Sequence, residues 1–158
     1  MIQPWMVIGT VTFLVSLGGF LIRSRQDLRW AKRLDRPDWL VFEPAIPLIW
    51  TIIFVGGAWS ATLVWQHDPN SFKTWVLMGF YLLLEMTTVA YIPLTLRLRS
   101  LAVGTALGGL GLMFGLVLSV IVWSISHTAA FLLVPYLLWS PIGTYTTREM
   151  IDLNPEAV

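Results

Sequence analysis

Few side chains in this chain are equipped for chemistry, and they stand in unusual places. Glu85 lies near the middle of an apolar run, about 75–96, that contains no basic residue. Trp50, Phe54 and Trp139 are rings set inside other apolar runs, and Tyr81 precedes Glu85 by one helical turn. A carboxyl at mid-depth in hydrocarbon costs on the order of 3 kcal/mol, so it is expected to face a protein interior, where an ionisable group marks a functional place by default. Tyr81, Thr87 and Thr88 are its candidate hydrogen-bond partners. Indole and phenol rings pair a flat apolar body with a polar tip. Together these groups describe recognition by stacking around one acid. Bond-making chemistry has little support. With no cysteine, thiolate nucleophiles and Cys-ligated metals are excluded. There is no glycine-rich phosphate loop, no Ser-His-Asp set and no ligand spacing for a metal. His67 and His127 fall at the ends of apolar runs and read as surface groups. The residues point more to a binding protein, with no required cofactor and no nucleic-acid partner, than to an enzyme.

The elements that must position these groups are membrane helices. Hydrophobic residues make up 56% of the 158, and charged residues only 12%. Soluble domains carry about 25% charged residues, and the mean hydropathy of +0.73 agrees with an integral membrane protein. Five runs are long enough to span: about 4–22, 45–65, 75–96, 101–123 and 127–147. At 1.5 Å rise, about 20 residues cross about 30 Å of hydrocarbon. The expected fold is all-α, a single five-transmembrane-helix bundle over 1–158.

Charge sets the expected orientation. Arg23, Arg25, Arg29, Lys32, Arg33 and Arg36 precede span two, Arg97 and Arg99 follow span three, and Arg148 follows span five. All belong to one side, with only Lys73 opposite. The positive-inside rule then places the N-terminus outside and the C-terminus in the cytoplasm. Trp5, Trp65, Trp75 and Trp123 fall at outer span ends, as an interfacial aromatic belt would. The long 23–43 connection contains Trp30, Trp39 and Phe42 among its charges. It reads as a lid over the cytoplasmic mouth of the bundle, or as a basic strip against anionic headgroups.

Within span two, Pro47, Trp50, Phe54 and Ala58 share a face, with Pro47 tolerated in the first turn. Span four carries Gly104-x-x-x-Gly108 and Gly111-x-x-x-Gly115, flat patches for close helix approach within the bundle or between subunits. On span five, Pro135, Trp139 and Ile142/Gly143 share a face. Trp50 and Trp139 fall at comparable depth on antiparallel spans. With Glu85, they are expected to line one cavity beneath the 23–43 lid.

Three stretches resemble the TspO/MBR family of tryptophan-rich sensory proteins and translocator proteins. They are Arg36-Pro37-Asp38-Trp39, Pro47-Leu48-Ile49-Trp50-Thr51 with Phe54, and Leu133-Val134-Pro135-Tyr136-Leu137-Leu138-Trp139 followed by Leu153-Asn154-Pro155. The resemblance implies a five-helix bundle, homodimeric in many members, whose cytoplasm-facing pocket binds porphyrins and other tetrapyrroles, with sterols or isoprenoid-like lipids also associated. By motif position Trp39, Trp50, Phe54, Glu85, Trp139 and Gly143 would line that pocket. Tyr81, Glu85 and Thr88 stand where the family carries Gln, Asn and Trp, so the acid replaces a neutral amide. Some members are proposed to degrade protoporphyrin in light with the paired tryptophans, here Trp50 and Trp139. The reading from these residues is a membrane receptor for a flat hydrophobic ligand. An accessory subunit docking through glycine faces and a transporter using Glu85 are the alternatives.

Overall fold

The computed structural model describes residues 3–22 and 24–158; Arg23 of the basic cluster lies outside them. The described residues form helices and turns, without strands. Four helices are long and apolar enough to cross a membrane: α1 (Pro4–Leu21), α3 (Ile46–His67, continuing a 3-10 turn at Glu43–Ala45), α4 (Phe72–Leu98) and α5 (Leu101–Trp123). They match the first four expected spans to within a turn. Short α2 (Arg25–Ala31) lies between α1 and α3, held by a capping box in which Ser24 and Asp27 exchange hydrogen bonds.

The stretch expected as one span at 127–147 is instead two helices, α6 (His127–Phe131) and α7 (Val134–Leu153). Pro135 has no N–H to give and its ring crowds the carbonyl four residues back, so the chain restarts there with proline in the first turn. The helix then runs past 147 to Leu153, with Arg148 and Asp152 paired one turn apart at 2.9 Å on its exposed face. Hydropathy marked the apolar part of α7 but not its polar extension.

Neighbours around the bundle run α1–α3–α7–α5–α4 and back to α1, with α6 tucked against α3 and α5. One end carries the start of α1, the α3–α4 connection and α6. The other carries α2, the 32–45 segment, the α4–α5 turn and the C-terminus. Outward faces are apolar and open: Phe13 is 65% exposed, Val120 73% and Leu138 66%. Such a surface suits acyl chains, not water. Trp59, inside span two by sequence, points outward in the same way at 55%.

The glycines of α5 are used inside the chain. Gly104 faces Thr95 and Thr147, Gly108 faces Thr144, and Gly111 and Gly115 cradle the Tyr136 ring. Of the two uses open to these patches, packing within the bundle is the one observed. Gly19 of α1 is seated in the same way against Val89 of α4, whose carbonyl is left without its usual donor by Pro93.

Candidate functional site

Among the described residues, two hollows bear on the site. The larger, about 720 Å³, is bounded by α1, α3 and α4 and reaches Leu133 and Tyr136. Its walls are mainly apolar or aromatic, among them Val7, Ile8, Phe54, Trp65, Met78 and Leu82. It belongs to the half of the bundle that holds the α3–α4 connection. The smaller, about 40 Å³, lies in the opposite half, between α3, α4, α5 and α7. Binding sites for small molecules run about 300–1,000 Å³. Only the first is of that size, since a single water occupies about 30 Å³ of liquid.

The expected site residues are divided between the two. Phe54, Tyr81 and Glu85 line the large cavity. Trp50, Trp139 and Gly143 line the crevice. Trp50 also stacks on Phe54, at 5.8 Å between ring centres and 30° between planes. Thr88 and Tyr136 border both hollows and form the wall between them. The single hollow expected to gather Trp50, Trp139 and Glu85 is thus two, separated by the Tyr136 side chain that the α5 glycines admit.

Trp39 lines neither hollow. Its indole N–H donates to Glu149 at 2.8 Å, and its ring lies 6.1 Å from both Phe42 and Tyr145. Phe42 in turn meets Trp139 edge-on at 6.1 Å. The segment is pinned again by Asn154. Its carboxamide oxygen accepts from Asp35 N–H at 2.8 Å, and its amide donates to the Asp35 and Met150 carbonyls at 2.9 and 2.8 Å. Arg36 pairs with Glu43 at 2.6 Å within the segment. The lid expectation therefore has a physical counterpart, a strap over the end of α7. It covers the crevice end, and none of its residues lines the large cavity.

Hydrogen bonding around Glu85 also differs from expectation. Tyr81 turns away and shares a 2.6 Å bond with Ser60, whose hydroxyl also reaches the Ala129 carbonyl at 2.7 Å. Thr87 donates to the Leu83 carbonyl within its own helix. Thr88 faces the Tyr136 hydroxyl at 3.5 Å. The partner of Glu85 is Thr12 on α1, whose hydroxyl donates to Oε2 at 3.3 Å. Thr12 and Ser60 carry no motif in the sequence, and Tyr136 enters there only within the 133–139 motif. The available signal was their polarity, since hydroxyls on otherwise apolar helices must find partners.

The TspO/MBR family model matches residues 6–152. The chain belongs to the TspO/MBR family. It is 30% identical over 142 residues to the uncharacterized membrane protein YtaB of Bacillus subtilis, covering 89% of each chain. It is 25% identical over 147 residues to the tryptophan-rich protein TspO of Bacillus cereus, covering 91% of this chain and 95% of that one. It is 30% identical over 145 residues to the translocator protein of Bos taurus, covering 88% and 85%. Family membership and the apolar helices together make it an integral, multi-pass membrane protein.

Proposed function

We propose that this TspO/MBR protein is a membrane receptor, or sensor, for a flat hydrophobic ligand, with a porphyrin or other tetrapyrrole as the leading candidate. The observation that carries the reading is the apolar cavity of about 720 Å³, walled by Phe54, Trp65, Tyr81 and Tyr136. Its size suits a macrocycle, and its rings offer faces for stacking. The crevice at Trp50 and Trp139 is too small to hold one as it stands. No arginine of the strap reaches the cavity, so the acidic groups of such a ligand would project toward the headgroups past Pro4 and Trp75. In this reading α7 is the fifth span of a single membrane domain, and the strap end faces the cytoplasm under the positive-inside rule. The cavity then belongs to the opposite half of the bilayer, not beneath the basic segment. A homodimer, as the family resemblance implies, would use a lipid-facing side other than the α5 glycine stripe, which is filled within the chain.

The test is titration of the purified protein in lipid nanodiscs with metal-free protoporphyrin, read by tryptophan fluorescence. Saturable quenching is expected, and Gly57→Leu, which directs a side chain into open space at the cavity wall, should abolish it. Quenching that does not saturate, or that survives unchanged in Gly57→Leu, would overturn the reading.

A further inference from the structure

The two oxygens of Glu85 are unequally served. Oε2 receives the long bond from Thr12, while Oε1 is shut off from solvent and has no partner among the described residues. A carboxyl kept only to join α1 to α4 would account for the first oxygen and not the second. The other hydroxyls at the cavity wall are already committed: Thr12 to Glu85, Tyr81 to Ser60, and Thr88 to Tyr136. Glu85 is the acidic group at this wall, with one oxygen unpartnered among the described residues, beside space lined mainly by apolar side chains. Rotation about the last torsion of a glutamate is soft, so either oxygen can be presented to an occupant.

What completes such a group is a donor, and the strongest is a charged nitrogen. We infer that the cavity takes hydrophobic amines: an elongated apolar body bearing a protonated nitrogen that pairs with Glu85. This goes beyond the tetrapyrrole reading and rests only on the cavity being a ligand site. An ammonium and a carboxylate buried together carry no net charge, whichever heavy atom holds the shared proton. Either alone would be costly at this depth. From Glu85 to Trp75 along α4 is about 15 Å at 1.5 Å per residue. A body of that length reaches from the carboxyl to Trp65 and Trp75, whose rings meet edge-to-face at 4.8 Å. An acidic head in place of the amine would meet Glu85 as a like charge and be refused.

Three pyrene probes of matched size separate the possibilities: 1-pyrenemethylamine, 1-pyrenemethanol and 1-pyrenecarboxylate. Each is titrated into the protein in nanodiscs, with energy transfer from tryptophan as the readout and empty nanodiscs as the blank. The amine should bind about tenfold or more tighter than the alcohol, and the carboxylate weakest. In Glu85→Gln that preference should vanish while the alcohol still binds saturably, which also shows that the variant is folded. Thr12→Val, which keeps the carboxyl, should retain the preference. Equal affinity for amine and alcohol, or a preference that survives Glu85→Gln, overturns the inference and leaves the cavity as a ligand site. Failure of all three probes to bind the unaltered protein removes both.

Discussion

The Thr88 hydroxyl stands 3.5 Å from the hydroxyl of Tyr136, and these two side chains divide the interior into a cavity of about 720 Å³ and a crevice of about 40 Å³. Tyr136 can occupy that position because Gly111 and Gly115 of α5 present no side chain. A β-carbon at Gly115 would fall 2.5 Å from its ring. The partition is therefore written jointly by two helices, α5 supplying the recess and α7 the ring that fills it.

Tyr136→Phe keeps the ring and removes only the hydroxyl contact. Interhelical hydrogen bonds in membranes average about 0.6 kcal/mol, so its thermal stability in detergent should fall slightly. Tyr136→Ala removes the wall itself, at a cost of about 3–5 kcal/mol for a large buried ring. It should also join the two hollows, so that adding Trp139→Phe changes protoporphyrin affinity in the alanine variant and not in the phenylalanine one. Equal melting temperatures for the two variants would contradict the partition.

Adjacent glycines on α3 should respond in opposite ways. A β-carbon on Gly56 would meet the Leu132 carbonyl at 2.8 Å, a backbone atom at the α6–α7 turn that cannot swing aside, whereas one on Gly57 meets nothing within 4 Å. Gly56→Ala should cost about 1–3 kcal/mol, as overpacking does. Gly57→Ala should be neutral or slightly stabilising, since alanine is the better helix former. Thermal unfolding of the two variants side by side checks this.

These positions show where sequence reading succeeds and where it stops. The apolar runs fixed α1, α3, α4 and α5 because length and hydropathy determine a membrane helix with little help from its neighbours. The break before α7 is signalled by Pro135, although hydropathy runs unbroken across 127–147. The division of the interior was not legible, because it depends on which face each helix turns inward. Phe54 and Trp50 lie four residues apart and touch, yet they serve different hollows. Glu85 was marked by its own oddity, but its partner Thr12 is on a helix met at the far end of the chain. Proximity along α4 points Tyr81 to Glu85, yet Ser60 on α3 takes the Tyr81 hydroxyl instead.

That buried pair carries its own prediction. Ser60 is fully buried and serves both the Tyr81 hydroxyl and the Ala129 carbonyl. Tyr81→Phe leaves Ser60 with its carbonyl partner and should cost about 1 kcal/mol or less. Ser60→Ala strands the Tyr81 hydroxyl and the carbonyl together, and should cost about 1–3 kcal/mol. A double variant no worse than Ser60→Ala alone would show that the two residues act as one unit. Additive losses would contradict it.

The strap over α7 should be releasable at one residue. Asn154 is 2% exposed and its side chain makes three hydrogen bonds, two of them to Asp35, 119 residues earlier. The carboxamide of Asn154 both accepts from and donates to the backbone of Asp35. Asn154→Ala removes all three bonds, and Asn154→Asp keeps an acceptor for Asp35 N–H while turning a second oxygen toward the Asp35 and Met150 carbonyls. Both variants should speed amide exchange over 32–40 by about tenfold or more, the loss expected when hydrogen bonds of about 1 kcal/mol each are removed. Exchange in α3 and α5 should remain as before, because neither helix is tied through Asn154. The Trp39–Glu149 bond cannot hold the strap alone, being exposed to solvent at the rim. Trp39→Phe should therefore loosen the segment less than Asn154→Ala does, and the reverse order would assign the latch to the indole.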